Sequence, residues 1–317
     1  MGKLTGWDRP CRQEMETMVD ELNKVIAGKD SVIRQVICAL LAGGHVLLED
    51  VPGVGKTTLA LGISRILALD YRRLQFTPDV MPSDVTGFML YNRKTNEFEF
   101  KPGAVMTNLF LADEINRTSS RTQSALLEAM EEEAVTVDSV TYPLPKPFFV
   151  LATENPVGSA GTQRLPESQL DRFMIRISMG YPDPESELLI YQGRQREAME
   201  RVQRVFSGEE FVHLQTQVAQ VEMKENVGRY LVKLVRKTRE HEDIELGISP
   251  RGGLALVGMA KAFAFLHGRT YVVPEDIADV WNATVAHRIV LSRKGKMNGA
   301  VLEDVLAEIL KSVPMPE

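Results

Sequence analysis

Residues 45–58 read HVLLEDVPGVGKTT, a short apolar run followed by a glycine-rich turn. Gly53 and Gly55 permit a tight turn whose backbone N–H groups point toward one anion, a conformation that other residues adopt only at a steric cost. Lys56 is placed to reach the β- and γ-phosphates of a nucleotide, and the Thr57 hydroxyl to bind Mg²⁺. A helical pattern follows, so the stretch predicts a strand, a phosphate-binding loop and a helix.

This loop is a variant of the strict pattern GxxxxGK[ST]. The pattern has glycine where this chain has Asp50. A generic glycine turn is the alternative interpretation. The apolar run before the loop and the helical pattern after it favour phosphate binding, because the motif works only between a strand and a helix.

Further apolar runs of strand length indicate an α/β fold. They cover residues 109–112 and 148–153, and helical patterns separate them from the first run. Strands that alternate with helices predict βαβ units and a mainly parallel sheet. Residues 71–103 are rich in turn residues and alternating aromatics, which predicts a hairpin or loop excursion from that sheet.

The two ends of the chain are helical in period. Residues 13–42 carry apolar residues at three- and four-residue spacing, with a break at Gly28, and the glycine pair 43–44 ends the second helix. The segment GYPDP at 180–184 has the composition of a linker, and helical patterns follow it. We therefore expect an α/β domain over residues 1–180 and a small all-helical domain over residues 181–317.

Two acidic residues follow the second predicted strand. The run LFLA ends in Asp113 and Glu114, at the sheet edge where α/β proteins bind ligands. Asp113 is suited to orient Mg²⁺ and its water, and Glu114 to polarise a water for attack on the γ-phosphate. A capping pair before a helix is the alternative. The spacing from Lys56 and the adjacent glutamate favour nucleotide hydrolysis.

Two polar residues further along the chain complete the candidate set. Asn155 follows the third predicted strand, where its amide is suited to hold a water or the γ-phosphate; a turn asparagine before proline is the alternative. Arg172 lies in LPESQLDRF, and a guanidinium spreads over phosphate oxygens as charge develops on them. Such an arginine can complete the active site of a neighbouring subunit.

Composition excludes several classes of function. The formal net charge of −6 argues against a broad nucleic-acid-binding surface. Cys11 and Cys38 lie far apart, and the five histidines are scattered singly, so neither disulfides nor a metal cluster is expected. No apolar stretch reaches the roughly 18–20 residues of a spanning helix, and no signal-peptide pattern opens the chain, so we expect a cytoplasmic protein.

The combined motifs resemble those of the AAA+ ATPases. DVPGVGKTTLA, FLADEINRTSSRTQSALLEAMEE, LATENP and LPESQLDRF are similar in particular to the MoxR family, in the helix-2-insert group with magnesium chelatase subunits and minichromosome-maintenance helicases. The resemblance covers roughly residues 13–315. It implies a parallel-sheet ATPase core with a helical lid, a helix-2 insert beginning at Gln75 and a pre-sensor-1 hairpin over Val135–Pro145.

The resemblance also assigns roles to single residues. It implies ATP or ADP together with Mg²⁺, the metal being held by Thr57 and Asp113. The implied catalytic residues are Glu114, Asn155 as sensor 1, Arg172 as a finger acting in trans, and Arg251 as sensor 2, in cis or in trans. The implied nucleotide contacts are Ile26, Gly28, Pro52, Gly53, Val54, Gly55, Lys56, Thr57, Thr58 and Asp113.

These observations lead to one main functional hypothesis and three rivals. By resemblance the chain is an oligomeric ATPase, most simply a hexamer, that remodels or matures a protein partner by metal or cofactor insertion or by assembly of a complex. The partner would be one such as a von Willebrand factor A domain protein. The rivals are a DNA-translocating motor, a small-molecule kinase and a nucleotide-regulated scaffold with negligible turnover. The acidic charge balance opposes the first rival, and the adjacent Asp113–Glu114 pair opposes the second.

Overall fold

A five-stranded parallel sheet forms the centre of the molecule in a computed structural model that describes residues 12–51, 53–155 and 165–316. Its strand order is β2-β5-β8-β1-β9, and every pairing within it is parallel. These strands are β1 (Val46–Glu49), β2 (Tyr71–Gln75), β5 (Leu109–Asp113), β8 (Phe149–Glu154) and β9 (Ile175–Ile177). The predicted α/β fold with a parallel sheet is thus confirmed.

Helices cover both faces of this sheet and make up most of the rest of the chain. Two short 3₁₀ turns lie at Ile115–Arg117 and Ala286–Arg288. The α-helices are α1 (Arg12–Asn23), α2 (Asp30–Leu41), α3 (Lys56–Ile66), α4 (Pro82–Thr86), α5 (Ser120–Glu132), α6 (Glu167–Leu170), α7 (Pro184–Tyr191), α8 (Arg194–Arg201), α9 (Gly208–Ala219), α10 (Glu225–Glu240), α11 (Pro250–Leu266), α12 (Pro274–Val285), α13 (Arg293–Met297) and α14 (Leu302–Ser312).

Alternate residues of the central strands enter two separate hydrophobic cores. Successive side chains of a strand point to opposite faces, so one strand serves both cores. The first core holds Val46, Leu48, Leu111 and Leu151, with helices α1 to α3 and the C-terminal helices. The second holds Leu47, Phe110, Ala112 and Val150, packed against α5 and the hairpins. The central strands therefore consist almost entirely of apolar residues, as is typical of a sheet buried on both faces.

The helical predictions for the N-terminal segment are confirmed. Helices α1 and α2 are separated at Gly28, which adopts a φ of +73°. After α2, the N–H of Gly43 donates to the carbonyl of Leu40 at 3.0 Å, and that of Gly44 to Ala39 at 2.8 Å. Gly43 has a φ of +74°, a conformation that favours glycine, so the pair ends the helix as predicted.

The sheet contains two edge strands that sequence analysis did not predict. The first five residues of the predicted excursion over 71–103 form β2 instead, paired in register with β5. Its sequence YRRLQ is mostly polar because an edge strand is partly exposed to solvent. Strand β9 is only three residues long, which is too short for a hydrophobic pattern to indicate a strand.

Two antiparallel hairpins project from the core. The first joins β3 (Gly87–Asn92) to β4 (Glu97–Pro102) and lies within the predicted excursion. The second joins β6 (Ala134–Val137) to β7 (Val140–Pro143), at the position predicted for a hairpin. Phe100 and Tyr142 stack with their ring centroids 3.9 Å apart, so the two hairpins contact each other directly.

The C-terminal part is mainly helical, but it is not all-helical as predicted. Strands β10 (Ile244–Leu246) and β11 (Val290–Leu291) form a short antiparallel pair between helices. Each is three residues or fewer, so no alternating pattern could reveal it. Among the described residues, no helix combines the length and the apolar composition needed to cross a membrane.

Candidate functional site

The glycine-rich loop connects β1 to the first turn of α3. Gly53 and Gly55 adopt φ values of +91° and +100°, which side chains with a Cβ rarely tolerate. Helix α3 begins at Lys56, so its free N–H groups face the loop. Pro52, a predicted nucleotide contact, lies outside the described residues. The backbone of the described loop residues has the form that phosphate binding requires.

Lys56 is buried at the start of α3, and its ammonium donates a hydrogen bond to the carbonyl oxygen of Asp50 at 2.7 Å. Burial lowers the pKa of Lys56, and the neighbouring carboxylates, including those of Asp113 and Glu114, act against that shift. The ammonium therefore lies in a largely dehydrated position among acids, where its interaction with a phosphate would be stronger than in water.

Asp113 ends β5, and its carboxylate is held by two residues. Its Oδ1 accepts a hydrogen bond from the Thr153 hydroxyl at 2.6 Å, and its Oδ2 accepts one from Arg73 Nη2 at 2.6 Å. Thr153 lies on β8 and is fully buried. Because β2, β5 and β8 are adjacent in the sheet, their carboxyl ends bring these three side chains to the same edge.

Glu114 follows directly and adopts a left-handed backbone conformation, with φ of +58° and ψ of +49°. Its N–H donates to Thr153 Oγ1 at 2.8 Å. Its carboxylate accepts hydrogen bonds from Arg117 Nη1 at 2.7 Å and from Asn155 Nδ2 at 3.1 Å. Burial raises the pKa of Glu114, but these hydrogen bonds outweigh it and leave the pKa below its ordinary value. Glu114 is thus an ionised carboxylate held in a strained and fixed position.

Asn155 lies just beyond β8 and is nearly buried. Its backbone is held by Asn116, whose Nδ2 donates to the Asn155 carbonyl oxygen at 3.0 Å and whose Oδ1 accepts from its N–H at 3.4 Å. The amide group therefore faces Glu114 in a fixed orientation. Among the described residues, Asn155 Oδ1 has no hydrogen-bond partner, so this buried acceptor is free to receive a donor from a bound molecule.

Two adjoining cavities surround these residues. The smaller one measures about 400 Å³ and is polar. The larger one measures about 740 Å³, contains the predicted contact Ile26, and shares Val54, Pro182 and Ile190 with the smaller. The smaller cavity holds the charged residues of the loop and β5, and the larger one combines the apolar Val25, Ile26 and Ala27 with the charged Lys24 and Lys29. The predicted residues that line the smaller cavity are Gly53, Val54, Gly55, Lys56, Thr57, Thr58, Asp113, Glu114 and Asn155.

Gly28 lies behind the larger cavity rather than among its lining residues. A Cβ on Gly28 would come within 2.2 Å of Asp183 Oδ2, and its φ is also positive. Any other residue would displace the Asp183 carboxylate, which caps α7. Gly28 therefore shapes the cavity through close packing of the backbone.

Arg172 and Arg251 lie together in a different cavity, of about 370 Å³. Both donate to the same carboxylate: Arg251 Nη1 lies 3.2 Å from Glu131 Oε1, and Arg172 pairs with Glu131 Oε2. Arg172 also donates to the carbonyl oxygen of Leu127 at 3.0 Å. The structure therefore brings the two predicted arginines to each other and not to Lys56. We call Arg172, Arg251 and Glu131 the arginine surface.

A partly buried network fixes the backbone beneath this surface. Asp171 accepts hydrogen bonds from the hydroxyl of Ser249 at 2.8 Å and from Arg288 Nε at 2.7 Å. Ser249 in turn caps α11, which carries Arg251. Asp171 therefore ties the segment of Arg172 to the helix of Arg251, and the two guanidinium groups are positioned as a pair.

Similarity to known proteins identifies the family. The model for the ATPase family associated with various cellular activities (AAA) matches residues 45–175, and the model for the AAA lid domain matches residues 236–309. Chaperone MoxR1 of Mycobacterium tuberculosis is 36% identical to this chain, over 96% of the chain and 82% of MoxR1. The chain belongs to the MoxR family of AAA+ ATPases.

Other relatives extend over nearly the whole of this MoxR-family chain. The uncharacterised protein YeaC of Bacillus subtilis (strain 168) is 48% identical, over 94% of the chain and 93% of YeaC. A crystallised ATPase candidate from Cytophaga hutchinsonii ATCC 33406 is 38% identical and superposes with a TM-score of 0.89, covering 96% of both chains. The fold is therefore that of a solved relative throughout.

Mg²⁺ is implied by the family, and the residues present fit it. The Thr57 hydroxyl and the Asp113 carboxylate line the same cavity. Such oxygen donors, completed by water and phosphate oxygens, are the ligands that Mg²⁺ takes. Among the described residues, no three His, Cys, Asp or Glu side chains are placed to hold a metal ion by themselves.

Sequence analysis missed several residues of this MoxR-family site. Arg73 and Gln75 line the polar cavity from β2, a strand that was not predicted. Thr153 contacts both Asp113 and the Glu114 backbone, although a threonine inside a buried strand carries no signal of its own. Arg117 forms a salt bridge with the Glu114 carboxylate.

Proposed function

We propose that the chain hydrolyses ATP and uses the energy to remodel a protein partner. One observation carries the proposal: Glu114 lies in the same cavity as Lys56 and Asp113, with its carboxylate fixed by Asn155 and Arg117. A fixed, ionised carboxylate beside a phosphate-binding loop is suited to orient and deprotonate a water.

Each residue has a role in this proposed reaction. The loop N–H groups and Lys56 bind the β- and γ-phosphates, while Ile26 contacts the base. Glu114 accepts a proton from the attacking water, and Asn155, through its unpaired Oδ1, orients that water. Thr57 and Asp113 would hold Mg²⁺, which neutralises charge on the phosphate oxygens when bound.

The arginine surface supports a ring in which neighbouring subunits share each site. Arg172 and Arg251 lie in a cavity other than that of Lys56, so in our proposal they act on the nucleotide of the adjacent subunit. Heterologous contacts of this kind generate closed rings, and a hexamer is the state we propose. Arg172 would stabilise the charge that develops on the γ-phosphate.

The proposed client is a protein. MoxR1 is named a chaperone, and this chain carries exposed apolar residues on the β3–β4 hairpin, namely Phe88, Leu90 and Phe98. Grouped apolar exposure on a projecting hairpin suits protein contact. We propose chaperone-like maturation, such as metal or cofactor insertion, with a von Willebrand factor A domain protein as a candidate client.

Two further assignments complete the proposal. Residues 1–180 would form the nucleotide-binding domain and residues 181–317 the lid that responds to it. The location we propose is the cytoplasm.

The decisive experiment is phosphate release by the wild type and by Glu114→Gln. We expect turnover to fall by about 10²–10⁴, because a general base contributes roughly that factor, while ATP binding is retained. Glu128→Gln, an exposed change on α5, is the matched control and should leave turnover unchanged. Equal rates for the wild type and Glu114→Gln would refute the assigned base and favour a scaffold with negligible turnover.

A further inference from the structure

Asp50, the residue that departs from the strict phosphate-loop pattern, makes three side-chain hydrogen bonds to a distant segment. Asp50 is buried, and its carboxylate accepts hydrogen bonds from the Ser178 hydroxyl at 2.7 Å, from the Gly180 N–H at 3.1 Å and from the Met179 N–H. All three donors belong to residues 178–183, which join β9 to α7 and which we call the connector.

The backbone of Asp50 belongs to the phosphate site. Its carbonyl oxygen accepts the hydrogen bond of the Lys56 ammonium, at 2.7 Å. Its N–H donates to the carbonyl oxygen of Glu154, at 3.3 Å, next to Asn155. One residue thus touches the phosphate-binding lysine through its backbone and the connector through its side chain.

The connector is also held from its other side. Lys29 Nζ donates to the carbonyl oxygen of Tyr181 at 2.7 Å, and Gly28 packs against Asp183. Asp183 caps α7 by accepting from the N–H groups of Glu185 and Ser186. Helix α7 and the connector in turn supply one wall of the two cavities, through Pro182, Ser186 and Ile190. The position of that wall therefore depends on the contacts of the connector.

A carboxylate is electrostatically unfavourable beside a polyphosphate, so phosphate binding does not explain Asp50. The three hydrogen bonds to its carboxylate do explain it, because hydrogen bonds to a charged acceptor are roughly twice as strong as neutral ones. The glycine of the strict pattern would remove all three at once.

We propose that Asp50 is a positioning residue that ties the phosphate-binding loop to the connector, so that nucleotide binding and the position of α7 are coupled. This inference rests on the proposed function, because it requires a nucleotide in the loop. Lys56 provides the link: its ammonium bonds the Asp50 carbonyl oxygen without nucleotide and would bond a phosphate when nucleotide is present, so binding acts on the residue that holds the connector.

The first test measures amide hydrogen exchange of the full-length chain without nucleotide. In Asp50→Gly the N–H groups of Met179 and Gly180 lose their acceptor, and we expect their exchange to quicken by at least tenfold. Ser178→Ala removes one of the three contacts and should give a smaller change in the same residues. Ser64→Ala, whose hydroxyl bonds only within α3, is the control and should change neither.

The second test adds ADP and measures its dissociation constant, together with the exchange of residues 178–191. In the wild type we expect ADP to slow exchange in that segment. In Asp50→Gly we expect ADP to bind about tenfold more weakly and the slowing to disappear; KM for ATP should rise more than kcat falls, since the wall of the cavity is displaced rather than the base.

The outcomes separate this proposal from the function on which it rests. Unchanged exchange and ADP affinity in both Asp50→Gly and Ser178→Ala would overturn the role of Asp50. If Asp50→Gly does not fold, Ser178→Ala decides alone: a partial loss supports the proposal, and no loss refutes it. Failure of the wild type to bind ADP would refute the nucleotide site itself.

Discussion

The smaller cavity around Lys56, Asp113 and Glu114, which we call the cleft, differs from the arginine surface in how its charges are arranged. In the cleft, Lys56 is buried and surrounded by fixed acids. On the arginine surface, the side chains of Arg172 and Arg251 remain 29% and 47% exposed, and they share the single carboxylate of Glu131. In the cleft a single cation is enclosed by acidic groups. On the arginine surface two cations share one carboxylate and remain partly exposed to solvent.

This difference indicates which steps one chain can perform alone. In our proposal the cleft supplies the phosphate-binding loop, the general base Glu114 and the orienting amide of Asn155, so nucleotide binding should require no second subunit. The arginine surface lies in a separate cavity, which none of the described residues of the glycine-rich loop lines. If the two regions meet across a subunit contact, variants of each should complement each other.

The largest effect should follow from Arg172→Ala. We expect turnover to fall by about 10³, within the range attributed to arginine fingers, with ADP affinity unchanged because Arg172 does not line the cleft. The decisive measurement mixes this variant with Glu114→Gln in equal amounts. About a quarter of the contacts should then pair an intact arginine with an intact glutamate, because ring contacts join unlike faces.

Recovery of activity in the mixture would show that the arginine acts in trans, whereas an inactive mixture of assembled subunits would contradict it. Arg236→Ala, which removes an exposed arginine of α10 far along the chain, is the matched control and should retain full turnover alone.

A smaller loss should follow from Thr153→Val inside the cleft. The hydroxyl holds both the Asp113 carboxylate and the Glu114 N–H, so its removal should loosen two site residues at once. We expect a 10–100-fold loss of turnover, the usual effect of removing a partner that orients a metal ligand. Thr153→Ser should restore most of the rate; if it does not, packing of the methyl group rather than the hydroxyl is responsible.

His45 lines the cavity of the arginine surface, and its contribution to the stability of the fold should depend on pH. Its Nδ1 accepts from the N–H of Val150 on β8, and its Nε2 contacts the carbonyl oxygen of Met130 near Glu131. Burial lowers the pKa of His45 to about 4. As the pH falls below 6.5, His45 becomes protonated in the unfolded chain but stays neutral in the folded chain until about pH 4. The free energy of unfolding should therefore fall as the pH drops from 6.5 to 4.

The contribution of His45 to that fall is at most about 3 kcal/mol, from the difference between the two pKa values. Urea unfolding of the wild type and His45→Gln at pH 7.5 and pH 5 measures it, and the variant should show the shallower pH dependence. Exposed His213→Gln should behave as the wild type. Equal slopes for the wild type and His45→Gln would show that the ring is not neutral in the fold.

Sequence analysis predicted the parts of the fold whose neighbouring residues form a clear pattern of apolar residues or glycines. Apolar runs gave the buried strands β1, β5 and β8, and glycines with positive φ marked the breaks near Gly28 and Gly43. The edge strands β2 and β9 were not predictable, because a polar or three-residue segment becomes a strand only through its neighbour. The pair β10–β11 was missed for the same reason.

The same limit applies to the site. Residues 53–58 and Asp113–Glu114 were identifiable because their motifs are contiguous. Thr153 and Glu131 were not, because their roles come from contacts made across about 40 residues of sequence or more. Asp50 shows the opposite case: its departure from the pattern was visible, but its contacts to the connector were not.

The smallest effect we predict is that of Glu131→Gln on the arginine surface. In a single chain both guanidinium groups pair with the Glu131 carboxylate. In our proposal, the phosphate of a nucleotide bound to the neighbouring subunit must displace that carboxylate. These partly exposed pairs are each worth about 0–1 kcal/mol, and removing the charge should therefore favour the subunit contact only a few-fold. The curve of ATPase activity per subunit against protein concentration should shift to lower concentration by about threefold.

Ionic strength provides the check on this mechanism. High salt screens exposed charges, so the difference between the wild type and Glu131→Gln should vanish near 0.5 M salt, where the Debye length is only about 4–5 Å. Glu132→Gln removes the same charge from the next residue of α5 and should shift the curve less. A shift shared by both variants would reflect net charge alone. A fall in turnover at saturating protein concentration would instead show that Glu131 aligns the arginines, and the two regions would then both depend on fixed acids.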